Sequence, residues 1–214
     1  MRAKRTYTSS DMVRLAGAHC AGCGACCRGM GDTIVLDPYD VCMLTNGLGK
    51  SFGELMGESV DLHVENGVIL PHMKEVPTEN GNQPACAFLA PDGRCSIHAV
   101  RPGICRLFPL GRQYEDDRAV YFLLEDACAD HSRAKVRIDK WLGIPELQRY
   151  EAFKVEWHRL LRTLEARLKS ESDAEIAGKV NVFFLQTFFV RPYDAGASFY
   201  PQFEKRSRAF EAVL

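Results

Sequence analysis

No stretch of this sequence stays apolar for the roughly 20 residues that a bilayer crossing requires. The longest apolar run, residues 180–190, is interrupted by Asn181, Gln186 and Thr187. Residues 1–20 carry Arg2, Lys4 and Arg5 but lack the apolar segment of roughly 7–15 residues that a secretory signal needs. Neither export nor a membrane partner is expected, and a cytoplasmic location is. Charge of one sign is missing too: 27 basic residues stand against 28 acidic ones, for a formal net charge of −1. Without a global field to draw a polyanion, nucleic acid is not an expected partner. Hydrolytic signatures are absent, with no Ser/His/Asp arrangement, carboxylate pair or His-Glu-x-x-His to be found. Gly49-Lys50-Ser51 ends like a phosphate-binding loop, but the position of its first glycine holds Leu44.

What the sequence does have is cysteine. Nine of its 214 residues are Cys, none after Cys128. A compartment that keeps thiols reduced rarely uses disulfides structurally, so clustered cysteines there point to metal. The odd count also argues against a closed disulfide framework. With 46% hydrophobic and 26% charged residues, the chain has the composition of a globular protein with a proper core.

Local patterns give an expected outline. Ser9, Ser10 and Asp11 read as the cap of a short helix over residues 12–18. Residues 32–36 read as a strand, and Asp37-Pro38 as the start of a helix ending near Asn46-Gly47. A second helix is expected from Ser51, then a hairpin over residues 62–70 turning at Asn66-Gly67. Residues 83–111, rich in Pro, Gly and Cys, read as irregular backbone, and a second hairpin is expected across residues 115–117. Further on, Leu147, Tyr150, Lys154, Trp157, Leu161, Leu164 and Leu168 recur at three and four, which predicts an amphipathic helix over residues 145–170. Two more helices are expected over residues 177–190 and 200–213, their aromatics (Phe183, Phe184, Phe188, Phe189, Phe199, Tyr200 and Phe203) forming core. The expected class is α+β: a cysteine-cluster region at 1–137, irregular and metal-organised with small antiparallel hairpins, and a helical extension at 138–214 packed on it as one globular domain.

The chemistry centres on Cys20-x2-Cys23-x2-Cys26-Cys27. Spacings of three residues with small filler, Ala21, Gly22, Gly24 and Ala25, let a backbone curl round one object with its sulfurs inward. Bacterial ferredoxins use this spacing for three ligands to one cluster. Adjacent side chains diverge in most conformations, so Cys26 and Cys27 are expected to serve different metal atoms or different sites. Cys86 and Cys95 flank Pro91-Asp92-Gly93, a turn that folds the segment back on itself. With Cys105 and Cys128 the expected ligands number eight: Cys20, Cys23, Cys26, Cys27, Cys86, Cys95, Cys105 and Cys128. Cys42, inside a predicted helix, is read as a buried structural residue. Arg101 and Arg106 flank Cys105 and are candidates for offsetting thiolate charge, with His98 a hydrogen-bonding neighbour or ligand. His131 is left out of the site.

The run Cys20 to Cys27, then Cys86-Ala-Phe-Leu, Gly93-Arg-Cys95-Ser-Ile-His98 and Arg101-Pro102-Gly-Ile-Cys105-Arg106-Leu-Phe108-Pro109, resembles the CxxCxxCC family, the YkgJ-like group, over residues 20–128. The resemblance implies a zinc- or iron-chelating domain. Related sequence occurs in flagellin lysine methylase, a considerably longer iron-sulfur enzyme that uses S-adenosylmethionine. No methyl-donor pocket is recognisable in the present chain, and that activity is not carried over.

Zinc sites are typically built from two Cys-x2-Cys knuckles, whereas this chain has one tight triplet, so an iron-sulfur cluster is the expected cofactor and zinc the alternative. The corresponding functions are a redox or protein-modifying factor with an electron-transfer or other protein partner, and a zinc-stabilised, non-catalytic binding module.

Overall fold

In the computed structural model the described residues are 5–15, 22–78, 83–115, 117–125, 127–128 and 134–214. Their elements run, in chain order, β1 (Thr6–Tyr7), β2 (Met12–Leu15), α1 (Pro38–Leu48), α2 (Phe52–Leu55), β3 (Val60–Glu65), β4 (Val68–Met73), β5 (Glu75–Val76), β6 (Ala85–Cys86), α3 (Gly103–Leu107), β7 (Leu110–Glu115), β8 (Arg118–Leu123), β9 (Ala134–Arg137), α4 (Ile138–Leu142), α5 (Leu147–Ser170), α6 (Ala174–Leu185) and α7 (Phe199–Glu211). The fold is mixed, with small antiparallel hairpins in the N-terminal half and helices in the C-terminal half, as the sequence leads one to expect. No helix among the described residues is long and apolar enough to cross a membrane. The chain divides into two compact units, the first of residues 1–30 and 75–155, the second of residues 31–74 and 156–214.

The first unit holds three small antiparallel sheets. β8 lies between β1 and β7, β2 pairs with β9, and β5 with β6. The β7–β8 hairpin forms where expected, with Asp117 left-handed at φ 59°. Tyr121 on β8 is fully buried, and its hydroxyl donates to Glu151 Oε1 at 2.7 Å. The Arg112 guanidinium lies over the Tyr121 and Tyr150 rings, at 5.8 and 5.4 Å. Polar groups and aromatic faces thus share this interior.

One local expectation fails here. Met12–Leu15 is strand β2 rather than the start of a helix, and residues 16–18 of that expected helix lie outside the described residues. Asp11, instead of capping a helical turn, accepts hydrogen bonds from the Thr8 backbone N–H (2.7 Å) and hydroxyl (2.8 Å), closing a turn behind it. Residues 12–15 alternate exposed and buried, with Val13 and Leu15 inside, a period of two that only a strand satisfies. Their partner β9 is remote in sequence.

The second unit is built round aromatics. Trp157 on α5 stacks on Phe184 at 5.6 Å, and Phe188, Phe189 and Phe203 meet its ring edge-on. Phe184, Phe188 and Phe210 are fully buried, as core, while Phe183 is 45% exposed. α5 forms as expected, but its inward row is Tyr150, Phe153, Trp157, Leu160, Leu164 and Leu168. α1 begins with a full capping box, Asp37 accepting from Asp40 N–H while the Asp40 carboxylate accepts from Asp37 N–H. α2 is a single turn capped by Ser51. The β3–β4 hairpin turns on Asn66 (φ 50°) and Gly67 (φ 87°), both left-handed as a tight two-residue turn requires. In place of the strand expected over residues 32–36, a 3-10 turn at Gly31–Thr33 leads to a single bridge between Val35 and His72. α6 passes into one π-helical turn, Gln186–Val190, before Arg191-Pro192. Arg206 from α7 donates to the carbonyls of Thr187, Arg191 and Pro192 at 2.7–2.9 Å, satisfying the groups that this wider turn leaves open.

Candidate metal centre

The cysteine loop is held by its glycines and by a seam of backbone pairing. Gly22 and Gly24 take left-handed φ angles of 83° and 61°, and Ala25–Cys27 closes as a 3-10 turn with Cys27 N–H donating to Gly24 O (3.1 Å). Beyond it the chain runs antiparallel to the approach to β6: Arg28 bridges Ala85, and Gly29 N–H donates to Pro84 O at 2.9 Å. Met30 N–H donates to Glu75 Oε1 on β5 at 2.7 Å. Antiparallel pairing of residue 28 with residue 85 sets Cys27 opposite Cys86.

The second arm is the fold-back around Pro91-Asp92-Gly93. Leu89 bridges Cys95, Ala90 O accepts from Gly93 N–H and Ala90 N–H donates to Arg94 O, so the segment doubles back and carries Cys95 towards Cys86. The tip of this loop abuts the first one. Gly93 sits at φ 78°, and a Cβ there would collide with the carbonyl oxygen of Gly22. A Cβ on Gly24 would in turn lie 3.2 Å from Gly93 O.

The result is a set of interacting thiols. Interaction with the neighbouring Cys27 side chain is the main reason why Cys26 is pulled down to about 6, while Cys27 is raised by the same interaction, by burial and by Cys86 and Cys95. Burial pushes up Cys86 and Cys95; each is partly relieved by a backbone N–H two residues on, from Phe88 and Ile97 respectively. Cys86 and Cys95 each oppose ionisation of the other arm's Cys27, and Cys26 opposes theirs. Each of these sulfurs makes ionisation of its neighbours harder, a repulsion that a cation among them would relieve.

Arg101 brings positive charge to this group. It favours the ionised forms of Cys26 and Cys95; burial and then Arg106 hold Arg101 itself below its usual range, an effect that Cys105, Cys95 and Cys26 partly offset. Its guanidinium contacts His98 Nε2 and donates to His98 O at 3.1 Å, while His98 N–H donates to Cys95 O at 3.2 Å. Burial, then Arg101 and Arg106, holds the His98 imidazole below its usual range. Arg106 is spent on the backbone, donating to the carbonyls of Arg101 (3.1 Å) and Ala99 and so clamping the loop that presents Arg101.

Cys23 is exposed on the first loop, and Cys105 is half-buried on α3 within reach of Arg101. Cys128 is half-buried. Cys20 and His131 lie outside the described residues. Cys42 is buried on α1, accepts from Asn46 Nδ2 at 3.4 Å, and is pushed up to about 11 by burial, as befits a core thiol. Among the described residues no three His, Cys, Asp or Glu side chains already stand in metal-holding geometry. The donor set nonetheless fits a thiophilic ion: soft sulfurs from two arms, backbone N–H groups on two of them and a guanidinium beside them. Sequence reasoning missed the Gly22–Gly93 contact and the Arg28–Ala85 seam; the glycines themselves were the available signal.

Comparison with curated proteins and with solved structures gives no match. A family model does match, over residues 19–129: CxxCxxCC, described as "Putative zinc- or iron-chelating domain".

Proposed function

Given that the chain belongs to the CxxCxxCC family, we propose that it is a thiolate-ligated metalloprotein whose centre is an iron-sulfur cluster serving a redox or protein-modifying role. The observation that carries the metal reading is the mutual interaction of Cys26, Cys27, Cys86 and Cys95. Iron-sulfur is favoured over zinc because Cys20, Cys23 and Cys26 make one tight triplet of the ferredoxin kind rather than the two Cys-x2-Cys knuckles typical of zinc. The proposed ligands come from Cys20, Cys23, Cys26 and Cys27 on one arm and from Cys86, Cys95, Cys105 and Cys128 on the other. Arg101 offsets their charge, His98 orients Arg101, and Arg106 holds the intervening loop. A cluster bound there supplies one-electron chemistry, for which an electron-transfer or other protein partner is required. A reducing cytoplasm suits thiols kept for metal.

A second reading, a zinc-stabilised binding module without catalysis, is favoured by one feature. The four mutually interacting thiols, two of them hydrogen-bonded by backbone N–H, already make the number a tetrahedral zinc site takes. Protein purified without oxygen decides. Brown protein with iron and acid-labile sulfide, lost in Cys23→Ser and kept in Cys42→Ser, is the expected result; colourless protein with stoichiometric zinc overturns the cluster.

A further inference from the structure

The second unit holds another group of donor side chains, distinct in sequence and in type from the cysteines. We propose that His63, His72, Asp32 and Glu65 bind one divalent transition-metal ion of the zinc, cobalt or nickel kind. The strand register brings the imidazoles together: Asp61 pairs with His72 and His63 with Leu70, so the two histidines are diagonal neighbours on one face of the β3–β4 hairpin. Their ring centroids are 4.7 Å apart. The 3-10 turn at Gly31–Thr33, the Val35–His72 bridge after it and the hydrogen bonds Leu36 N–H to Pro71 O and Met73 N–H to Ile34 O lay residues 31–36 along β4 and deliver Asp32.

The hydrogen bonding of His72 fixes what its other nitrogen presents. His72 is 1% exposed, and its Nδ1 lies 2.8 Å from the carbonyl oxygen of Asp32. A carbonyl only accepts, so Nδ1 carries the proton and Nε2 is left with a lone pair in the neutral ring. That Nε2 has no hydrogen-bond partner, yet stands 3.3 Å from Glu65 Oε1. Two acceptors facing each other where the buried His72 meets the exposed Glu65 repel, and a cation between them turns the contact attractive. A ligating imidazole that donates its second N–H to a backbone carbonyl is also the arrangement metal sites use to orient the ring.

The same relation recurs beside it. His63 Nδ1 stands 3.3 Å from Asp32 Oδ1. Donors each about 2.0–2.1 Å from a tetrahedral zinc are about 3.3–3.4 Å apart, so both pairs already span one edge of such a site. The two edges do not yet share a centre, but His63 and Asp32 are 36% and 71% exposed and free to swing over the buried His72. Lys74, the cation on the same hairpin, is engaged by Gly57 O at 2.7 Å and by Asp61 at 3.6 Å and leaves both carboxylates to the ion.

The test uses cobalt(II) added to the full chain with its cysteine centre already filled. The expected result is one further equivalent of cobalt with weak visible bands and no sulfur-to-cobalt charge transfer in the near ultraviolet. His63→Gln, at a half-exposed position, and His72→Asn, which keeps a donor for Asp32 O, are each expected to weaken that uptake at least tenfold without altering the metal already bound. Equal cobalt uptake by all three proteins, or charge transfer from sulfur in all the cobalt bound, overturns the site. So does a wild-type protein that takes up no cobalt while its His72 imidazole titrates, because a proton then fills the gap. None of these outcomes bears on the content of the cysteine centre, which is measured separately as iron, sulfide or zinc.

Discussion

Replacing Gly93 by alanine tests whether the two cysteine arms depend on touching at their glycines. Two terms act. The left-handed backbone at φ 78° costs a residue with a Cβ about 1–2 kcal/mol. The added methyl also meets the Gly22 carbonyl, a backbone atom that cannot rotate away, and overpacking of this kind costs about 1–3 kcal/mol. The sum, about 2–5 kcal/mol, is a fall of roughly 4–20 °C in Tm at about 2–4 °C per kcal/mol for a chain of this size. Gly57 supplies the control, at φ 79° with no atom within 4 Å of the Cβ it would gain, so Gly57→Ala carries the backbone term alone. Calorimetry on both variants, with metal content measured on each, separates the terms. Gly93→Ala is expected to lose both stability and metal, and Gly57→Ala only stability. If the two variants melt alike and hold equal metal, loop contact is not what aligns the arms.

Arg101→Gln is expected to weaken metal retention in a chelator competition by about 10–100-fold, the usual consequence of losing a group that supports ligands from behind; unchanged retention would remove Arg101 from the site. Arg206→Met strips three carbonyls of a charged donor and is expected to destabilise by about 3 kcal/mol or more, read from urea midpoints, while leaving metal content intact. Asn181→Leu leaves Ile69 N–H and Gly67 O without their side-chain partner and is expected to cost about 1–3 kcal/mol, with amide exchange accelerating first at residues 67–69. Acidification is expected to weaken the α2 turn: Ser51, through its backbone N–H and then its hydroxyl, holds Glu54 below the ordinary carboxylate range, so the stabilisation is present above that range and is lost as pH falls through the lowered value. Glu54→Gln should flatten that dependence in a pH series of melting curves.

Where a feature is encoded within a few residues, the sequence can be read directly. Asp37-Pro38 and Asn66-Gly67 each fix their own backbone, and α1 and the hairpin form where those pairs stand. Pro91-Asp92-Gly93 likewise announces the fold-back that brings Cys95 to Cys86. Where the decisive partner is distant, the reading goes astray. Nothing near Met12 announces β9, so a cap-like Ser-Ser-Asp suggests a helix, although the alternation of Val13 and Leu15 already carries the period of a strand. On α5, counting by threes and fours selects Lys154 and Leu161 for the inward row, whereas the buried positions are Phe153 and Leu160; both rows fit the spacing, so spacing alone does not choose between them.

Each compact unit is assembled from two separated stretches, with residues 31–74 inserted between the two parts of the first and residues 75–155 between the two parts of the second. No single cut therefore liberates either one whole. A fragment ending at residue 155 keeps the β3–β4 hairpin but discards Asn181, which stitches its turn, and a fragment beginning at residue 75 keeps Cys86 and Cys95 but has none of the cysteine loop they face. During synthesis the first loop emerges before the segment that carries Cys86 and Cys95, so the two arms can meet only once both are made.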